Sequence, residues 1–593
     1  MKTVIAICLL ALITGCSSGE SKSQGTTVSP NSQGSGTIAV MLDWSAVTNT
    51  ASKRAASAPA TVATVRIVVS GSGITPPIQK DFAAEFGGGI IGSVPAGIGR
   101  TVTAQGLNAA GTVTCQGTST NITVLAGQTT DAGAITMAAV PNSPITIGSF
   151  HGSIVLGSPT DSSIVANVYA SDQSGTLYIA YGSSQGVYDK QTASRTLVAG
   201  SPAEIFLHGL SSDTRYYYRL YFQPSGGTGS DPTKEYTFHT ARSSGSTFVF
   251  SIQGDSHPER EKNQFHPDLY KRTLQTAAAD QPDFYLTIGD DFSIDTLDPS
   301  TVTAAQVTER YILQRSYLGL IGASSPVFLV NGNHEQAARY LLDGTPNNVA
   351  VWTQNARNNY YSQPAPDGFY TGNTELVPFI GLLRNHFAWT WGDALFVVID
   401  PYWASATCVD APFNGGAKRT NLWDVTHGDA QYSWLKTTLE RSNAKYKFVF
   451  AHHVMGTGRG GIELATKFEW GGLGNNGTGE FSTNRPGWAS PIHQLMVANG
   501  VSIFFQGQDH IWARQQLDGV IYQTLPEPAD PFYSLYNSDA FLSGDKFPNT
   551  GYTRVTVSPA TVKVDYVRTW LPTDEGPGKI NGQTEFSYSV PQR

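Results

Sequence analysis

Five short polar clusters are the part of this chain equipped for chemistry: Gly254-Asp255-Ser256-His257, Gly289-Asp290-Asp291, Gly332-Asn333-His334-Glu335, Ala451-His452-His453 and Gly507-Gln508-Asp509-His510. Carboxylate and amide oxygens suit hard cations, while imidazole suits zinc, iron and their neighbours. A set mixing both fits a hydrolytic pair of metal ions. Two such ions roughly 3.5–4 Å apart share a water, lower its pKa and neutralise charge growing on a phosphoryl group.

Residues so far apart in the chain need a scaffold that brings them together. Continuous apolar runs at 247–252, 284–288, 327–330, 395–399, 447–450 and 501–505 have the character of strands buried on both faces. Between them lie helical patterns such as 430–439, where Trp434, Leu435 and Leu439 share a face. In sheets flanked by helices, functional loops gather at the carboxyl ends of strands. All five clusters begin where such a run stops.

Upstream, the pattern is different. Residues 37–140 alternate in short runs separated by Gly- and Thr-rich turns, as expected of a small β-sandwich serving as a spacer or binding surface. Residues 145–243 have the length of an immunoglobulin-like sandwich. Within them, Leu210-Ser211-Ser212-Asp213-Thr214-Arg215-Tyr216-Tyr217-Tyr218-Arg219 resembles the fibronectin type III motif, with Tyr216 in the place of the tyrosine corner. With 244–593 as the catalytic part, the chain reads as β-sandwich domains followed by an α/β domain. A length of 593 residues accommodates several domains.

The first residues read as an export leader. Lys2 supplies the positive start and 4–13 an apolar stretch too short to span a bilayer. Ile13-Thr14-Gly15-Cys16 resembles a bacterial lipoprotein processing site, which implies a membrane anchor at a lipidated Cys16 and a place in the cell envelope; plain secretion is the alternative. Residues 17–36 are polar and small, as in a flexible tether. Cys115 and Cys408, in separate domains, are expected to be free thiols. The net charge of −8 argues against general nucleic-acid binding.

The order Asp-x-His, Gly-Asp, Gly-Asn-His-Glu, a late His and a final Gly-x-x-His resembles the calcineurin-like metallophosphoesterase superfamily over about residues 245–570. The resemblance implies an αββα two-sheet domain that hydrolyses phosphate esters of small molecules by attack of a metal-bridging hydroxide. It implies two divalent ions (Mn, Fe or Zn). Asp255, His257 and His510 would hold the first, Asp290 would bridge, and Asn333 and His452 would hold the second. His334 would steady or protonate the leaving oxygen, and Glu335 would orient that ring or cap a helix. Arg459 and His453 are candidates to touch the phosphate.

Two departures stand out. Purple acid phosphatases carry Gly and Tyr where this chain has His257 and Ser293, so a ferric-tyrosinate colour is not expected. The family's last motif is Gly-His-x-His, and here Gln508 replaces the first His, offering only a weak carbonyl ligand. A monoesterase is the favoured reading. A phosphodiesterase acting on nucleotides or lipids, and a surface binding protein with a degenerate site, are the alternatives. His386 and His427 are expected to be hydrogen-bonded scaffold residues.

Overall fold

The computed structural model describes residues 34–44, 58–59, 62–84, 88–108, 113–139, 150–227, 230–261, 263–410, 413 and 419–592. The expected leader, Cys16 and most of the tether lie outside them. The chain divides into two compact units, residues 1–147 and 148–593.

In the first unit the alternation expected from the sequence is realised as two sheets. Gly88–Pro95, Ser35–Asp43 and Thr129–Thr136 form one; Ile74–Ala83, Thr64–Gly71, Gly97–Leu107, Val113–Val124 and Ala138–Ala139 form the other. Alternate side chains from both, among them Ile38, Val40, Ile67, Val102 and Ile135, close one core around Trp44. Cys115 is buried within it as a free thiol.

The second unit opens with another two-sheet sandwich. The strands Ser153–Gly157, Ser163–Tyr169 and Ala203–His208 face a sheet built on Gly175–Gly182 and Arg215–Pro224. The Tyr216 hydroxyl accepts a hydrogen bond from the Ser211 N–H at 2.9 Å, the corner its sequence context suggests. This sandwich is tied to the following domain by buried polar contacts. Tyr218 donates to the Ala323 carbonyl at 2.6 Å, and Arg315 Nε donates to Ser153 Oγ at 2.8 Å.

The rest is the expected αββα arrangement. One six-stranded sheet runs in the order Val327–Leu329, Phe284–Thr287, Phe248–Gln253, Gly551–Val557, Thr561–Arg568 and Thr584–Pro591. An eight-stranded sheet contains, side by side, Phe387–Trp391, Ala394–Val398, Tyr446–Phe450, Ile503–Gln506 and Val520–Thr524. Their inner faces interlock through aromatic rings: Phe250 of the first sheet meets Phe396 and Phe505 of the second edge-on, at 5.2 and 6.3 Å. Helices Pro267–Ala279, Ala304–Gly322 and Val349–Tyr360 share a core with the outer face of the first sheet, and Asp429–Arg441 and Ile492–Ala498 with that of the second. Strands covered on both faces explain the unbroken apolar runs: all of Ala394–Val398 and Tyr446–Phe450 is buried.

Candidate metal centre

The strands Phe248–Gln253, Phe284–Thr287 and Val327–Leu329 are parallel, as are Tyr446–Phe450 and Ile503–Gln506, so the loops after them emerge at strand ends in neighbouring positions. Small residues let these loops close in. A Cβ added to Gly332 would lie 2.1 Å from Asp290 Oδ1, and one added to Gly507 would lie 2.3 Å from Asp255 Oδ1. His257, Asp290, Gln508 and His510 all hold positive φ, between 46° and 70°. Left-handed backbone at four non-glycine residues is strain of the kind that collects at functional sites.

The convergence is tight. Ligand-type atoms of Asp255, His257 and His510 lie within 4.8 Å of one another, as do those of Asp255, Asp290 and His452, and those of His257, Asp290 and His334. Asp290 is thus common to two of the groups and Asp255 to two. His452 Nδ1 lies 2.9 Å from the Ile288 carbonyl, so it is the donor there and turns Nε2 inward, 3.0 Å from Asp290 Oδ2 and 2.8 Å from Gln508 Oε1. His510 points Nε2 at Asp255 Oδ2 (3.1 Å) and Nδ1 at Glu527 Oε2 (3.3 Å). His257 Nδ1 is held by Ser293 Oγ at 2.9 Å. The two residues that depart from the purple acid phosphatase pattern therefore bond to each other.

These groups suit cations. His257 Nε2 and Asn333 Oδ1 are buried and have no hydrogen-bond partner, an arrangement that costs about 1–3 kcal/mol per atom unless something else satisfies them. Burial alone would lower the His452 and His510 pKa values. Asp290 and Asp255 instead carry His452 to about 10, and Glu527 and Asp255 carry His510 to about 10. In the absence of metal, protons take the place of positive charge that the carboxylates demand.

His334 is oriented by a residue the sequence reading did not single out. Its Nδ1 lies 2.7 Å from Asp295 Oδ2, its Nε2 is 3.6 Å from Asp290 Oδ2, and Arg260 Nη2 approaches that Nε2 at 3.3 Å. Glu335 does neither job expected of it. Its two oxygens accept backbone N–H groups from Asp290 (3.0 Å), Asp291 (2.7 Å), Phe292 (3.2 Å) and Gly332, clamping two metal loops together. Asp291 is no ligand: it accepts from Ser256 Oγ at 2.6 Å and from Gln253 and Gln314, and burial beside Glu335 pushes its pKa well up.

A cavity of about 260 Å³ opens over the site, lined by Arg260, Gln264, Asp290, His334, Arg459, Gln508, His510, Tyr536 and Asn537. Arg459 sits on its wall, its guanidinium donating to the Gln508 carbonyl and 3.6 Å from Asp509. His453 does not line it, which corrects the expectation that it touches the phosphate. The His453 ring instead bonds the Gly460 carbonyl through Nε2 at 2.8 Å. Asn333 lines a smaller neighbouring cavity with Tyr402 and Asp410. Arg260, Asp295 and Glu527 lie in no motif. A signal did exist for Glu527, which follows Val520–Thr524, one more parallel strand end in the same row.

Residues 249–476 match the calcineurin-like phosphoesterase family, and this part of the chain is a calcineurin-like phosphoesterase domain. No curated protein sequence matches the chain significantly. Among solved structures it is similar to PhoD, with a TM-score of 0.52 at 14% identity, covering 75% of this chain and 91% of that one. It is also similar to the purple acid phosphatase PPD1 from yellow lupin (Lupinus luteus) seeds, with a TM-score of 0.48 at 16% identity, covering 89% and 90%. The family and the clustered ligands support a metal-dependent phosphoesterase.

Proposed function

We propose that the chain is a dinuclear metal-dependent hydrolase of phosphate monoesters of small molecules, exported and anchored to the cell envelope through Cys16. The observation that carries the catalytic reading is the meeting of Asp255, His257, Asp290, His452 and His510 beneath a cavity walled by His334 and two arginines. Asp255, His257 and His510 would hold one ion; Asn333 and His452, with Gln508 as a weak oxygen ligand, would hold the other; Asp290 would be shared. Bound there, two cations supply an activated water and neutralise phosphoryl charge.

The chain's own residues do the remainder. The Asp295 carboxylate fixes the His334 ring with Nε2 towards the cavity, where it can hand a proton to the leaving oxygen. Burial opposes protonation of that ring, but Asp290 and Asp295 hold its pKa above the ordinary value. Arg260 and Arg459 reach the cavity from loops far apart in the chain, and guanidinium groups pair well with phosphate oxygens. Two of them beside a metal pair favour the doubly charged monoester over a diester.

The test is turnover of an aryl phosphate and of a bis-aryl phosphate by purified protein with and without added manganese. Metal-stimulated hydrolysis of the monoester, lost in Asp290→Ala, is expected. No stimulated turnover of either ester, or a variant equal to the parent, overturns the reading; preference for the bis-ester makes it a diesterase. Among the described residues no helix is long and apolar enough to cross a membrane. In this reading the anchor is Cys16, and Cys16→Ser is expected to move the protein from the membrane to the soluble fraction.

A further inference from the structure

His453 and Asp509 each adjoin a metal-site residue in the chain, yet neither joins the ligand clusters or lines the cavity above them. Both are fully buried. Their side chains converge on Gly460, the residue after Arg459. Asp509 Oδ2 accepts the Gly460 N–H at 2.9 Å, and the His453 ring bonds the Gly460 carbonyl through Nε2. A carbonyl oxygen only accepts, so Nε2 is the nitrogen that carries the hydrogen. Gln506 Nε2 donates to the same carbonyl at 3.2 Å.

The segment they grip has little stiffness of its own. Gly458 and Gly460 flank Arg459 with φ of 97° and 90°, a region that other residues rarely adopt. Such a loop samples many conformations unless contacts from outside it select one. The Arg459 side chain is 47% exposed, so its own bond to the Gln508 carbonyl competes with water. Asp509 Oδ1 lies 3.6 Å from Arg459 Nη1, beyond hydrogen-bond reach, and the hold on Arg459 therefore runs through the backbone.

The same contacts join the loop to other parts of the cavity wall. The Asp509 carbonyl accepts from Asn537 Nδ2 at 3.2 Å, and Asn537 and Arg459 both line the cavity. A Cβ added to Gly460 would lie 2.8 Å from the Ala540 carbonyl oxygen, so the loop also packs closely against the segment that follows Asn537. Residue 509 is thus where the metal loop, the Arg459 loop and the Asn537 segment meet.

We propose that Asp509 and His453 are positioning residues: by clamping Gly460 they hold the Arg459 guanidinium on the cavity wall, where it pairs with the phosphate of the substrate. The inference rests on the phosphoesterase reading. A guanidinium held in place loses less conformational freedom when it pairs with phosphate oxygens, and binding is tighter for it. The pairing persists from bound substrate to transition state, so the clamp acts on KM more than on kcat.

The experiment measures kcat and KM for an aryl phosphate, the inhibition constant of inorganic phosphate, and bound metal, all on the manganese-loaded full chain. The variants are Asp509→Ala, Asp509→Asn and His453→Phe, each alone and combined with Arg459→Ala. Asp509→Ala and His453→Phe are each expected to raise KM and the inhibition constant by roughly tenfold, as Arg459→Ala does, with less than about threefold change in kcat. Asp509→Asn keeps an oxygen for the Gly460 N–H and is expected to recover most of the loss. In the Arg459→Ala background none of them is expected to add more than about twofold, because residues that act through one another are not additive. Full additivity, a loss confined to kcat, or a parent-like KM in Arg459→Ala or in both clamp variants overturns the proposal. So does loss of metal from both clamp variants, since the contacts would then serve the ligands; where one alone loses metal, the other carries the comparison. Absence of turnover by the parent counts against the phosphoesterase reading instead, and calorimetric binding of inorganic phosphate to the same metal-loaded variants then decides the clamp.

Discussion

Glu335→Gln is a stringent test of how the metal loops are held. Each oxygen of Glu335 accepts two backbone N–H groups: Oε2 from Asp290 and Gly332, Oε1 from Asp291 and Phe292. The amide keeps one oxygen and puts an NH₂ group where the other was, so two buried N–H groups face a donor instead of an acceptor. Leaving buried groups unpaired costs about 1–3 kcal/mol each, which makes about 2–6 kcal/mol for the substitution. At about 2 °C per kcal/mol the thermal midpoint of the catalytic unit falls by at least about 4 °C. Because the same N–H groups position Asp290, metal affinity by calorimetry is expected to fall by roughly 10–100-fold, as when ligand-supporting partners are removed elsewhere. A variant with the parent's midpoint and the parent's metal affinity would refute the clamp.

Three other outcomes follow from the site. Ser293→Ala leaves His257 Nδ1 with only the longer contact to Glu259 Oε1 at 3.3 Å, and metal-dependent turnover is expected to need up to roughly tenfold more metal while the fold, read by circular dichroism, is unchanged. Gln508→His places an imidazole beside Asp290 and His452, so zinc retained after dialysis is expected to rise by up to one equivalent, measured by elemental analysis. In metal-free protein the raised His452 and His510 pKa values, both about 10, contribute stability that is complete below the unfolded imidazole value of about 6.5 and is lost as pH rises through about 10. Thermal midpoints with chelator present should therefore decline across that window. Metal binding, which needs both rings deprotonated, should tighten over the same window and release protons.

Much of this site was legible because each ligand follows an unbroken apolar run, and runs buried on both faces predict strands whose ends line up. Tyr216 was legible for a similar reason: a corner tyrosine sits in a fixed local context, and its hydrogen bond spans only five residues. Glu335 was misread because its partners are main-chain groups, three of them 43 to 45 residues away, and main-chain donors leave no trace in side-chain spacing. Arg260 and Asp295 were missed because one lies in a turn and the other in a single 3-10 turn, Ile294–Thr296, both too short to carry a periodic signal. His453 looked equivalent to His452 by adjacency. The chain direction after Tyr446–Phe450 sends one ring into the metal cluster and the other to the Gly460 carbonyl.

The central claim is a pair of cations sharing Asp290, and anomalous scattering from crystals grown with manganese or zinc tests it directly. The account predicts two peaks roughly 3.5–4 Å apart on either side of the Asp290 carboxylate, with His257 and His510 reaching one and His452 the other. A single peak away from Asp290, or none at saturating metal, would contradict it.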